Sequence, residues 1–304
     1  MRNTAVTLGN LTLQNPILTA SGTCGFGYEL AQFFSLNDLG GIAIKGTTLQ
    51  PRKGNPTPRI AETYCGMLNS VGLQNPGVKA VVHEEIPKLR NFFKGPIIAN
   101  ISGFSLEEYI ETAQYFDIHS DAALLEINIS CPNVQGGGLA YGVDPSHAAQ
   151  VCSAVKKVCQ KPVYMKLSPN VTDIVSIAKA CEDAGADGLT LINTLKGMAI
   201  HPSSGKPVLA NITGGLSGPA IFPVALAMVY EVYRHVSIPL IGMGGISCAD
   251  DVICMLSAGA SAVQIGAQTL INPSACIDIL HNLEEKMLAY GIDDLQEIIG
   301  RTHR

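Results

Sequence analysis

The feature that most constrains this chain is a rhythm of eight short apolar runs, most of them separated by stretches with helical spacing. The runs are Pro16–Ser21, Gly41–Lys45, Pro96–Ile101, Ala123–Ile129, Pro162–Leu167, Gly188–Asn193, Pro239–Met243 and Ala262–Ile265. They are continuous rather than alternating, and several start at Pro or Gly. A strand with one wet face alternates, whereas a parallel strand covered on both faces does not. Between the runs, Leu106–Phe116, Ser146–Val158, Thr172–Ala184, Pro219–Tyr233, Ala249–Ala258 and Pro273–Ala289 read as helices. Two of these lead into a near-repeat, Asp183-Ala-Gly-Ala-Asp187 and Ser257-Ala-Gly-Ala-Ser261, whose glycine suits a helix C-cap. Such alternation predicts a TIM-type (β/α)8 barrel, with a doubly wound open sheet as the alternative. No linker or low-complexity stretch divides the chain, so residues 1–304 are expected to form a single domain. At the start, Val6 to Leu13 reads as a hairpin turning at Gly9-Asn10, a lid on the barrel's lower end.

Composition narrows the function classes. With 47% hydrophobic and 15% charged residues, the chain can bury a large core. A net charge of −5 without a basic run argues against nucleic acid as a partner. The richest apolar stretch, Ile221 to Tyr233, carries Pro223 and Glu231 and falls short of the roughly 18 residues of a membrane span. The first residues lack the basic-then-apolar pattern of a secretion signal, so a cytoplasmic location is expected. Nine cysteines, an odd number without any CxxC, suggest a reducing compartment and no metal site in this chain. Cys152, Cys159, Cys181, Cys254 and Cys276 fall in helical stretches and are expected to pack as small hydrophobes.

The strand ends carry the chemistry. The runs terminate in Ser21-Gly22, Lys45-Gly46, Asn100, Asn128, Lys166, Asn193-Thr194, Gly244-Gly245 and Gly266-Ala267. In a barrel these residues meet at one mouth. Three long connections, about Gly46–Asn75, Cys131–Pro145 and Thr194–Gly218, would follow strands and surround it. Glycines after the seventh and eighth strands let backbone N–H groups approach an anion, which is the usual phosphate position of this fold. Lys45 and Lys166 suit a Schiff base, a phosphate contact or a cation facing a developing anion. Cys131 stands apart from the other cysteines. It lies just past a strand in Asn128-Ile-Ser-Cys-Pro-Asn133, with Gly136-Gly-Gly138 following, and could act as base or nucleophile.

These motifs resemble a known family. Asn128–Asn133 with its glycine run resembles the catalytic loop of class 1 dihydroorotate dehydrogenases, where cysteine is the base; class 2 members carry serine there. Asn55-Pro-Thr-Pro-Arg59 and Met67-Leu-Asn-Ser-Val-Gly-Leu-Gln-Asn-Pro-Gly77 are similar to the family's substrate loop, and Leu209 to Ala220 to its later flavin-contacting loop. Within class 1, Lys45-Gly-Thr-Thr48, Leu73-Gln-Asn-Pro-Gly77 and Thr213–Pro219 are closest to the NAD-linked two-subunit type, class 1B.

The resemblance implies that dihydroorotate is oxidised to orotate in pyrimidine biosynthesis. Cys131 would take a proton from C5 while a hydride passes from C6 to N5 of one FMN per chain. Ser21, Lys45, Gly46, Asn100, Asn128, Lys166, Ile192 and Gly218 would contact the flavin, and Gly244, Gly245, Gly266 and Ala267 its phosphate. Lys45, Asn69, Ser70, Val71, Gly72, Leu73, Asn128, Asn133, Asn193 and Thr194 would hold the substrate. Electrons would reach NAD through a partner subunit carrying FAD and a [2Fe–2S] cluster, in a heterotetramer around a homodimer of this chain. This chain itself has no GxGxxG on a βαβ unit and no cysteine cluster. The alternatives are the fumarate-reducing class 1A type, another dihydropyrimidine-oxidising flavoprotein, a flavin-free lyase using Lys166, and a non-catalytic barrel binding a phosphate ligand.

Overall fold

The computed structural model describes residues 2–130 and 141–304. Eight parallel strands close into a barrel. In chain order they are Ile17–Thr19, Gly41–Ala43, Ile97–Ile101, Leu124–Asn128, Val163–Lys166, Gly188–Leu191, Leu240–Met243 and Ala260–Ile265, hereafter strands one to eight. Each pairs with the next, and the eighth pairs with the first through Val263↔Ile17 and Ile265↔Thr19. Nearly every strand residue is buried, as expected of strands covered on both faces. The open-sheet alternative is therefore set aside.

Helices cover the outside. The third and fourth crossovers use Leu106–His119 and Pro145–Lys156, and the fifth uses Ile174–Asp183. Ser105, Asp144 and Asp173 cap these helices by accepting backbone N–H bonds with their side chains. The sixth crossover ends in Phe222–Tyr233, entered through a 3-10 turn at Pro219–Ile221. The seventh is Ala249–Ala258, and Ala275–Ala289 follows the eighth strand. The first crossover departs from the regular pattern. It has only the short 3-10 turns Tyr28–Gln32 and Leu36–Asp38. The second contains a helical stretch from Val78 to Arg90, with a π-helical segment at Val81–Glu85.

The hairpin pairs Val6↔Leu13 and Leu8↔Leu11, with Gly9 at φ +63 in its turn. Val6, Leu8 and Leu13 are buried, and Gly9 lies against the hydroxyl of Tyr164 on strand five. Two of the long connections fold further than a loop. Ile60–Thr63, Gly66–Asn69, Leu195–Met198 and Thr213–Ser217 form a four-stranded antiparallel sheet. Its central pair, Asn69↔Gly215 and Met67↔Ser217, joins the insertion after strand two to the insertion after strand six.

Five cysteines, Cys24, Cys152, Cys159, Cys181 and Cys276, are buried, whereas Cys254 is exposed on its helix and does not pack as expected from sequence. Burial pushes the thiol of Cys24 up to about 11 and those of Cys152 and Cys159 up to about 12, from 9.0. Cys181 and Cys276 move the same way for the same reason. Above pH ~9 the unfolded chain releases these protons while the folded chain keeps them, so the unfolded state binds fewer. Stability is therefore expected to be lost as pH rises from about 9 through 11–12. Melting temperatures measured from pH 8 to 10.5 should fall, and replacing Cys152 and Cys181 together by alanine should flatten the slope. An unchanged slope in that variant would assign the alkaline loss to other groups.

No helix among the described residues is long and apolar enough to cross a membrane.

Candidate active site

Strand direction brings the polar strand ends to one mouth, and the hydrogen bonds there tie neighbouring strands together. Thr47 N donates to Asn100 O at 2.9 Å, and Ser102 N donates to Thr47 O at 2.9 Å. Lys45 lies two residues beyond strand two, and a Cβ on Gly22 would meet its Nζ at 3.7 Å. Gly46 is where three segments converge. A Cβ there would lie 2.8 Å from Asn100 Oδ1, 3.6 Å from Ser102 Oγ and 3.7 Å from Leu73 Cδ2. Only glycine leaves that space open.

Asn128, at the end of strand four, is the centre of a second network. Its Oδ1 accepts from Ser130 N at 3.2 Å, Ser130 Oγ at 2.5 Å and Asn193 Nδ2 at 3.1 Å. Its Nδ2 donates to Ser102 Oγ at 3.2 Å, and its backbone oxygen accepts from the Tyr109 hydroxyl at 2.7 Å. Asn193 Nδ2 also donates to Ser130 Oγ, and Asn193 Oδ1 accepts from Thr194 N at 2.7 Å. A carboxamide has two donor hydrogens and two acceptor lone pairs. Among the described residues, the partners of Asn128 saturate its oxygen and leave one N–H. Those of Asn193 use both N–H groups and leave one lone pair. The two side chains thus present a donor beside an acceptor.

The accessory sheet carries the Asn69–Leu73 segment toward these groups. Asn69 lies opposite Gly215, and a Cβ on Gly215 would overlap the Thr194 side chain. Ser70 N donates to Arg59 O, while Ser70 Oγ is buried without a partner among the described residues. Gly72 at φ +77 and Leu73 at φ 55 turn the chain. Asn75 fixes the turn by donating from Nδ2 to Thr48 Oγ1 at 2.8 Å and to Leu73 O at 2.7 Å. Val71 is placed through its oxygen, which accepts from Asn55 N at 2.9 Å.

A cleft lies beyond, over strands six to eight. Ile192, Asn193, Thr194, Gly218, Gly244, Gly245, Gly266 and Ala267 line it, together with Ser217, Pro219 and Gln268. Gly244 and Gly245 have φ +121 and +77, and both pack tightly. A Cβ on Gly245 would meet Phe222 N at 2.7 Å and Gly218 O at 2.8 Å. These glycines bring the strand-seven turn against the start of the Phe222–Tyr233 helix, where backbone N–H groups suit an anion.

The family model for dihydroorotate dehydrogenase matches residues 3–287. The chain belongs to the dihydroorotate dehydrogenase family. It is 55% identical to a Bacillus pumilus protein over 98% of this chain and 96% of that one. A Geobacillus relative is also 55% identical, over 99% and 96% of the two chains, and a Malacoplasma penetrans relative is 51% identical over 98% and 97%. All three relatives are named dihydroorotate dehydrogenase B (NAD(+)), catalytic subunit.

The sequence-predicted residues of this dihydroorotate dehydrogenase homologue fall mainly in these three clusters. Ser21 follows strand one at the same mouth and is half-buried. Cys131 and Asn133, with Gly136–Gly138, lie outside the described residues. Residues that sequence reasoning missed stand at the mouth and in the barrel interior beneath it. Ser102 and Ser130 hold Asn128, and Glu126 and Gln264 occupy the barrel interior. Glu126 Oε1 accepts from Asn100 Nδ2 at 2.5 Å and lies 3.3 Å from Lys166 Nζ; Oε2 accepts from Gln264 Nε2 at 2.7 Å. A signal for Glu126 was present. It is the one charge inside the run Ala123–Ile129, and a buried charge requires partners.

Proposed function

We propose that this chain is the catalytic subunit of an NAD-linked dihydroorotate dehydrogenase, oxidising dihydroorotate to orotate on FMN. The donor of Asn128 beside the acceptor of Asn193 carries the reading. A dihydropyrimidine ring offers a carbonyl beside a ring N–H, which is the complementary pattern. The names of relatives more than half identical over nearly their whole length support the activity.

The residues fit a flavin. Asn100 Oδ1 and Gln264 Oε1 are buried acceptors with no partner among the described residues, as an N–H-bearing polar ring requires. Gly46 keeps space open beside Asn100, and Gly244 with Gly245 forms a turn suited to a phosphate. Ser21, Lys45, Gly46, Asn100, Asn128, Lys166, Ile192 and Gly218 would hold the ring and ribityl chain. Gly244, Gly245, Gly266 and Ala267 would take the phosphate. Bound there, FMN supplies the hydride acceptor for C6 of dihydroorotate.

The chain's own side chains do the remaining work. Asn69, Asn128, Asn193 and Thr194 orient the pyrimidine, Asn133 adds a further contact, and Ser70, Val71, Gly72 and Leu73 complete the substrate loop by backbone and packing contacts. Lys45 neutralises the substrate carboxylate, and Lys166 offers a fixed cation to developing negative charge. Cys131 removes the C5 proton. Because the amides are locked before substrate arrives, binding energy goes into orientation rather than ordering. A partner subunit carrying FAD and a [2Fe–2S] cluster would relay electrons to NAD in a cytoplasmic heterotetramer built on a dimer of this chain.

Anaerobic titration tests the activity. The purified protein should be yellow, and dihydroorotate should bleach its flavin absorbance while dihydrouracil, which lacks the carboxylate, should not. Bleaching by dihydrouracil alone would overturn the substrate assignment.

A further inference from the structure

Glu126 is the least expected residue in the barrel. It sits in the middle of strand four, and its side chain is fully buried. Gln264 reaches it from strand eight, which lies four places away around the ring in either direction. Two side chains from opposite walls meet only near the barrel axis, so Glu126 points into the interior. Asn100, its register partner on strand three, and Lys166 from strand five complete the set.

A carboxylate is an acceptor only. The amide nitrogens of Asn100 and Gln264 must therefore face Glu126, which turns both carbonyl oxygens away from it. For Asn100 that oxygen is the one beside Gly46 at the mouth. Glu126 is also the anion paired with Lys166, whose side chain is itself only 4% exposed. Charges this far from water are poorly screened. Removing one leaves the other uncompensated.

We propose that Glu126 is a positioning residue that sets the polarity of the flavin's surroundings through its neighbours. It fixes Asn100 as an acceptor toward the mouth and offsets part of the Lys166 charge. The inference rests on the flavin reading above. By tempering the cation, Glu126 keeps the reduced, anionic flavin from being over-stabilised, so that the electrons are released to the next acceptor.

The test is a spectroelectrochemical titration of flavin bound to wild type, E126Q, K166M and the double variant. E126Q leaves Lys166 uncompensated. The reduced-to-oxidised ratio at fixed potential should rise about tenfold, equal to ~30 mV upward for a two-electron couple. K166M should shift the potential downward, and because a fully buried carboxylate does not stay charged without its counter-ion, adding E126Q to K166M should produce no further rise. If E126Q cannot retain flavin, E126D, which draws the carboxylate back by one methylene, should give a smaller rise that K166M also abolishes. An unchanged potential in flavin-loaded E126Q, or the same rise with and without Lys166, would overturn the proposal. Wild-type protein that takes up no FMN would instead overturn the flavin reading itself.

Discussion

Replacing Cys131 by alanine is expected to leave FMN bound and to lower turnover by about 10²–10⁴-fold, the contribution of a positioned general base. Removal of the thiol takes away the group proposed to accept the C5 proton and leaves in place the strand ends proposed to hold the flavin. Cys131 follows Ser130 directly in sequence, and Ser130 is itself held by Asn128 and Asn193. Cys131→Ser should fall between alanine and wild type, with activity that appears only at high pH, because an alcohol ionises far less readily than a thiol. The wild-type rate should itself rise with pH, since a thiol with an ordinary pKa of ~8.5 is mostly protonated at neutrality. Rapid-mixing measurement of flavin reduction by dihydroorotate isolates this step from later electron transfer. Flavin reduction in Cys131→Ala within about threefold of wild type, or a flat profile from pH 6 to 9, would remove Cys131 as the base.

Burial patterning made the barrel legible. All eight apolar runs became strands, and five glycine- or amide-bearing strand ends, at Gly46, Asn100, Asn128, Asn193 and Gly245, stand where a barrel must bring them. Continuous apolar runs need no partner information to be recognised, because burial on both faces is written into each run. The four-stranded sheet was different. Its strands carry Gly66, Gly197, Gly214 and Gly215, residues that weaken a strand signal. Each insertion forms its own hairpin, but the central pairing joins Asn69 to Gly215, far apart in sequence, so neither insertion shows by itself which strand it lies beside. The missing first crossover helix is similar in kind. Tyr28–Gln32 and Leu36–Asp38 are short turns whose shape follows from what they pack against.

Polar networks were the least legible part of the site. Asn128 and Asn193 could be named from their places at strand ends, but their hydrogen-bonding polarity could not. That polarity depends on Ser102 and Ser130, which looked unremarkable as serines in a turn. Glu126 and Gln264 were obscured for the opposite reason. Both lie inside apolar runs, and although the charge of Glu126 signals that it needs a partner, only the closed ring shows that Gln264 supplies one.

Replacing Gly245 by alanine is expected to weaken FMN binding by about a hundredfold, so that the protein purifies colourless while the barrel remains folded. Two effects combine. At φ +77 an alanine costs ~1–2 kcal/mol. Its Cβ would also lie 2.7 Å from Phe222 N and 2.8 Å from Gly218 O, both backbone atoms that cannot rotate away. The turn must then shift, carrying its N–H groups out of line with a phosphate. A hydrogen bond to a charged group is worth ~1.5–3 kcal/mol, so losing one weakens binding ~10- to 150-fold at 1.4 kcal/mol per decade. The fold should survive, since a domain has ~5–15 kcal/mol in reserve. Gly185→Ala separates strain from site. Gly185 has φ +94 and nothing within 4 Å of a new Cβ, and it precedes strand six at the barrel's other end. That variant should lose only the ~1–2 kcal/mol of backbone strain and bind FMN as wild type does. Fluorescence titration of FMN, with circular dichroism melts of both variants, measures the two quantities separately. If Gly245→Ala melts lower but binds FMN with unchanged affinity, the strand-seven turn is not the phosphate site.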